Sequence, residues 1–215
     1  MMILNPKFRA SKWFTALQTL TTYSEEERIL QRAMQFISAN EIKGDYLEFG
    51  VYKGNTFATA YHMAQQTGLK DMSFFAFDSF EGLPKSNEGQ FEEGQYYCDE
   101  DSFLRNMQKK GVKGVISIKG WFKDLEFTSQ IEKASIIYID CDLYKSAVPV
   151  FKFITPYLQD GTLIILDDYY CFKGSRDRGV RRAFNEWLQD NHTLDVSHYH
   201  KFGWHGCSFI VHKGE

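Results

Sequence analysis

Two short stretches set carboxylates in pairs where apolar runs end. Ile137 to Tyr144 reads IYIDCDLY, with Asp140 and Asp142 one residue apart, and Leu163 to Tyr170 reads LIILDDYY, with Asp167 and Asp168 adjacent. Hard divalent cations take several oxygen ligands, and magnesium commonly combines a few protein carboxylates with water. If the chain stays extended after Asp140, Asp142 points to the same side. Four acids at two strand ends therefore read either as a metal site or as solvated loop residues.

Two further acids end apolar runs. EFGVYKGNT, Glu48 to Thr56, pairs an acid with Gly50 and Gly54 in a turn that brings backbone N–H groups near a ligand. A dinucleotide fingerprint would need glycine where Tyr52 stands, and a Walker loop would need Gly-Lys-Ser/Thr. The turn suits a ligand bearing a carboxylate and an ammonium better than one bearing phosphates, and it is equally a plain turn. Asp78, in FDSFEGLP, can accept from ribose hydroxyls or cap the turn that follows it.

These residues need a scaffold, and the chain alternates helical and strand patterns. Helices are expected at 24–38, where Ser24 and Glu27 form a capping box, at 55–68, closed by Gly68, and at 101–111, with Asp101 as N-cap. Two more are expected at 146–158, with Pro149 in the first turn, and at 178–189. Strands are expected at 45–52, 73–80, 114–122, 134–140 and 161–168, and residues 193–213 read as two antiparallel strands about a Gly-containing turn. The result is an α/β fold with a parallel sheet and helices on both faces, whose ligands bind at the carboxyl ends of the strands. Those ends carry Glu48, Asp78, Gly120, Asp140 and Asp167–Asp168.

Composition narrows the function classes. A chain of 215 residues, 43% hydrophobic and 25% charged, suits one globular domain spanning 1–215. A net charge of −3 gives no basic field for nucleic acid or an anionic membrane. No apolar run is long enough to span a bilayer, and MMILNPKFRASKW has no signal-peptide core, so a cytoplasmic location is expected. Four cysteines without CxxC spacing fit a reducing compartment. Residues 84–101 form a long Gly- and acid-rich connection expected to act as a mobile lid, and residues 1–23 form an arm that serves as a second lid or a homodimer contact. Among the C-terminal histidines, His198 and His200 are expected on one strand face, and His205 is an alternative base.

The ordered set LEFGVYKGNT, DSFEGLP, KGWFKD, YIDCDLYKS, ILDDYY and GVRRAFNEW, spanning residues 44–190, resembles the macrocin O-methyltransferase-like family, which methylates sugar hydroxyls in antibiotic biosynthesis. The resemblance implies a three-layer, Rossmann-like class I methyltransferase fold, with a mainly parallel seven-stranded sheet and an antiparallel C-terminal strand. It implies S-adenosyl-L-methionine as methyl donor and Mg2+ or another divalent cation held by Asp140, Asp167 and Asp168. Glu48, Gly50, Val51, Tyr52, Asn55 and Thr56 would meet the methionine part, and Asp78 the ribose. Ser79, Phe80, Gly120 and Trp121 would lie near the adenosine, with Asp140 also beside the cofactor. Asp140 and Asp142 are the catalytic candidates, and the acceptor is a small molecule or saccharide. The chain departs from the family at Leu125–Phe127, where Thr-Leu-Pro is usual, and in its N-terminal segment. A metal-dependent glycosyltransferase would leave Glu48 and Asp78 unexplained. A phosphatase would want its Asp-x-Asp at the first strand, and a non-catalytic binding domain would not keep the acids.

Overall fold

The computed structural model describes residues 23–88 and 91–213. The elements, in chain order, are α1 (Glu25–Ala39), β1 (Asp45–Phe49), α2 (Asn55–Thr67), β2 (Phe74–Asp78), α3 (Glu100–Lys109) and β3 (Val115–Lys119). Then follow β4 (Ala134–Ile139), α4 (Tyr144–Ile154), β5 (Leu163–Leu166), α5 (Gly179–Asp190), β6 (Leu194–Phe202) and β7 (Gly206–Lys213). The strands form one sheet in the order β3-β2-β1-β4-β5-β7-β6. Its first five strands are parallel, and β7 runs antiparallel to both β5 and β6.

Alternation along the strands divides the core into two layers. Leu47, Phe49, Phe75, Phe77, Ile137, Ile139, Ile164 and Leu166 face α4 and α5. Tyr46, Phe74, Ala76, Ile136, Tyr138, Leu163 and Ile165 face α1, α2 and α3. The unbroken apolar runs in β4 and β5 reflect burial on both faces, as central parallel strands require.

Local signals behave as expected at several ends. Ser24 and Glu27 close a reciprocal capping box, and Gly68 ends α2 at φ 85°. Three expectations need correction. The cap of α3 is Asp99, not Asp101, because Asp99 accepts from the Ser102 N–H. Helix α4 starts at Tyr144, so Pro149 falls in its second turn and withdraws one N–H from the ladder. Finally, an irregularity in register between His198 and Lys201 separates the two histidines. His198 packs on Phe209, while His200 meets Arg32 of α1. The N-terminal arm lies almost wholly outside the described residues.

Candidate active site

Hydrogen bonds carry the sheet one step past its strands and align the candidate residues along its carboxyl edge. Gly120 N–H donates to Asp78 O, Gly50 N–H to Phe77 O, Asp140 N–H to Phe49 O and Asp167 N–H to Ile139 O, each at 2.9–3.0 Å. Gly50 is required by close approach. At φ 86°, a Cβ there would sit 1.8 Å from the Asp140 carbonyl oxygen. This glycine lets the ends of β1 and β4 touch at the point where the strand order reverses, the usual ligand crevice of such sheets.

A cavity of about 1180 Å³ opens above this edge. Pockets for one small ligand commonly measure roughly 300–1,000 Å³, so there is room for two reactants. Gly50, Tyr52, Asp78, Ser79, Gly120, Trp121, Asp140, Asp142, Asp167 and Asp168 line it. Glu48, Val51, Asn55, Thr56 and Phe80 are not among its lining residues. Glu48 is 1% exposed and accepts from the Tyr46 hydroxyl. Burial pushes its carboxyl up to about 8, against the Tyr46 hydrogen bond, and the charges of Asp167 and Asp78 add to the rise. Asp78 ties two strand ends together, its Oδ2 accepting from Val51 and Tyr52 N–H and its Oδ1 from Phe80 N–H. Burial nevertheless raises its pKa.

The carboxylate quartet is not uniform. One oxygen from each of Asp140, Asp142 and Asp168 lies within 4.8 Å of the other two. Asp142 does not continue an extended strand. It takes φ 57°, and Leu143 N–H closes a tight turn onto Cys141 O. That strained turn swings Asp142 back beside Asp140, and its own N–H donates to Asp168 Oδ2 at 2.9 Å. Asp168 Oδ1 accepts from the Cys171 thiol. Asp167 is engaged elsewhere: Oδ1 accepts from the Tyr138 hydroxyl at 2.6 Å, and Oδ2 lies 3.5 Å from His205 Nδ1. His205 bridges elements, since its Nε2 is 3.4 Å from Glu26 Oε1 on α1.

Burial, then mutual repulsion, raises this whole group. Asp142 goes up to about 8 and Asp168 to about 6, while Asp140 rises well above the carboxylate range. Among the described residues no cationic side chain forms an ion pair with Asp140, Asp142 or Asp168. Converging carboxyl oxygens, two of them on buried residues and none with a cationic partner, are the donor set that a hard divalent cation fits.

The wider wall carries residues the sequence reading did not single out: Glu26, Phe91, Tyr96, Lys145, Phe172, Lys173, Arg178 and Trp204. Phe91 and Tyr96 belong to the expected lid, which is pinned at the cavity edge by Leu83 N–H to Gln95 O and by Tyr144 N–H to Glu88 Oε2. Among the described residues, five of the seven non-glycine positions with positive φ (Tyr52, Tyr96, Asp142, Phe172 and Lys173) line the cavity, so backbone strain is concentrated there. Apart from Asp142, whose residue type tolerates left-handed backbone, no local sequence signal marks them.

Known proteins share the sequence pattern and the fold of this chain. The family model for macrocin O-methyltransferase (TylF) matches residues 17–197. A mycinamicin III 3''-O-methyltransferase from Micromonospora griseorubida is 27% identical over 162 residues, covering 69% of this chain and 63% of that protein. A demethyldecarbamoylnovobiocin O-methyltransferase from Streptomyces niveus is 24% identical, covering 77% of this chain and 67% of that protein. The chain thus spans about two thirds of the length of these relatives. Among solved structures, the O-methyltransferase NovP superposes with a TM-score of 0.74 at 19% identity, over 89% of this chain and 80% of that one. An O-methyltransferase from Bacillus cereus in complex with SAH superposes at 0.57 and 14% identity, over 99% and 93%. The fold is that of class I methyltransferases, and the chain belongs to the macrocin O-methyltransferase (TylF) family.

Proposed function

We propose that this protein is an S-adenosylmethionine-dependent O-methyltransferase that methylates a hydroxyl of a sugar or glycoside with the help of a divalent cation. The observation that carries the reading is the meeting, in one cavity, of the Gly50 turn, Asp78 and the carboxylates at the ends of β4 and β5. The family supports the methyl donor, and two of the relatives named above are by name O-methyltransferases of mycinamicin III, at its 3'' position, and of demethyldecarbamoylnovobiocin.

In this reading the methionine part of the donor meets the Gly50 turn, its ribose meets Asp78, and its adenine lies by Gly120 and Trp121. Transfer breaks the donor's S–CH3 bond and forms an O–CH3 bond in line, so the residues around the donor must fix the angle of attack. Asp140 and Asp168 would hold the cation, with Asp167 supporting them from the same strand end, and the cation would supply a lowered pKa to the acceptor hydroxyl. Asp142, grouped with Asp140 and Asp168, is the carboxylate placed to take the hydroxyl proton. The loop that precedes the Asp99 cap of α3, expected over 84–101, closes over the donor from its stretch before that helix.

Calorimetry with S-adenosylmethionine, with UDP-sugars and with a phosphate ester tests the class. Tight binding of S-adenosylmethionine, with methyl transfer to a member of a sugar-acceptor panel, is expected. Binding of UDP-sugars with release of the nucleotide, and no binding of S-adenosylmethionine, would overturn it in favour of a glycosyltransferase.

A further inference from the structure

The cavity's aspartates stand at the strand ends, and its wall carries Glu26 from α1 and the exposed Lys123 beyond β3. Beyond the ends of β4 and β5 the wall carries three more exposed cations, Lys145 in the first turn of α4 and Lys173 and Arg178 between β5 and α5. None of these three cations forms an ion pair among the described residues. A cation that faces a cavity without a partner keeps its charge available for a ligand.

The stretch bearing Lys173 is built at a conformational cost. Phe172, Lys173 and Gly174 take successive φ values of 57°, 62° and 66°, the left-handed region that L side chains avoid. The turn is fastened by Gly174 N–H to Tyr170 O at 2.8 Å and by Arg181 Nη1 to Gly174 O at 2.8 Å. The Phe172 ring occupies the place where a Cβ on Gly179 would stand, 2.5 Å away. It also lies 6.0 Å from the Arg178 guanidinium and 5.9 Å from the Phe91 ring of the lid. Strain held by this many contacts marks a functional surface.

We propose that the acceptor enters this cavity carrying a phosphate group, as a sugar phosphate or a nucleoside diphosphate sugar, and that Lys145, Lys173 and Arg178 bind that group. This rests on the methyl-transfer reading and names its acceptor class. An acidic group at the strand ends that receives a hydroxyl, together with three wall cations, matches a molecule with a neutral sugar at one end and an anion at the other. Three cations, one on α4 and two between β5 and α5, exceed what one carboxylate could satisfy, whereas phosphate oxygens accept from an arginine fork and from lysines together. Methylation then precedes the glycosyl-transfer step that consumes the activated sugar, because that step releases the phosphate.

The test is calorimetry on the full chain loaded with S-adenosylhomocysteine, with divalent cations chelated. The probes are inorganic pyrophosphate, glucose 1-phosphate, UDP-glucose and methyl glucoside. Pyrophosphate and at least one phosphorylated sugar are expected to bind, more weakly as salt rises. Comparison of glucose 1-phosphate with UDP-glucose tells which form is preferred. The pair Lys173→Ala and Arg178→Ala together should weaken these probes by about tenfold or more and leave methyl glucoside unaffected. Lys145→Ala, at an exposed helix position, gives an independent loss if the double variant fails to fold. Absence of binding by all three anions at millimolar concentration, or unchanged affinity in the variants, overturns the proposal. Failure to bind S-adenosylhomocysteine in the loading step would instead count against the methyl-transfer reading itself.

Discussion

Asp142 and Asp168 are joined by a backbone hydrogen bond, yet their side chains are assigned different work. If Asp168 holds the cation and Asp142 takes the proton, their variants separate. Asp168→Ala should lose both metal affinity and turnover, while Asp142→Asn keeps metal affinity within a few-fold and loses turnover by about a hundredfold or more. Metal titration beside steady-state kinetics reads both, and an equal loss of metal affinity in Asp142→Asn would make it a ligand. Glu48 supplies a second prediction. Its pKa rises from its ordinary 4.5 to about 8 on folding, chiefly through burial. Between those values the folded state holds a proton that the unfolded state has lost. Its stabilising contribution is therefore complete below about 4.5 and is lost as pH rises through about 8. Glu48→Gln cannot titrate, so without ligand it should melt above the parent at pH 8, with the gap closing towards pH 5. Thermal unfolding across that range checks it, and a gap that does not vary with pH would count against it.

At the level of elements, the site depends on turns that leave strands under steric constraint. Gly50→Ala would drive its Cβ into the Asp140 carbonyl at 1.8 Å. Because the clash is with backbone, it cannot be relieved by a rotamer change. We expect a loss of about 3 kcal/mol or more in urea unfolding, with S-adenosylmethionine binding lost as the β1 and β4 ends part. The lid offers a gentler perturbation. Glu88 Oε2 accepts the Tyr144 N–H at the start of α4, fixing the loop to the helix that follows Asp142. Glu88→Ala removes one charge-assisted hydrogen bond of roughly 1.5 kcal/mol, enough to raise proteolytic cleavage within residues 84–98 by about tenfold. The melting temperature should barely change. Unchanged cleavage would mean that this bond does not hold the loop.

For the whole molecule, the ligand-bearing edge and the core are the same sheet, so ligand binding should stabilise the fold globally. Donor product at a hundredfold excess over its dissociation constant adds about 2.7 kcal/mol. For a chain of this size that corresponds to a melting rise of about 5–10 °C. Differential scanning fluorimetry with S-adenosylhomocysteine checks it, and no rise at saturation would contradict coupling between the cavity and the core. Among the described residues no helix is long and apolar enough to cross a membrane.

By itself the sequence determined the alternation of elements, the two-sided burial of β4 and β5, and the acids at the strand ends. It could do so because hydrophobic period and capping chemistry are local properties, as Ser24 with Glu27 and Gly68 illustrate. Helix starts that depend on a preceding turn were less legible, and α4 begins two residues before the expected 146 because Asp142 folds back at once. Only the tertiary structure decided which acids converge. Asp142 joins Asp140 and Asp168 through a left-handed turn, whereas Asp167 is drawn towards Tyr138 and His205. It alone brought Lys145, Lys173 and Arg178 to one cavity wall. These are long-range relations, set by strand order and by strained backbone that the core holds in place, and no residue's neighbours in the chain encode them.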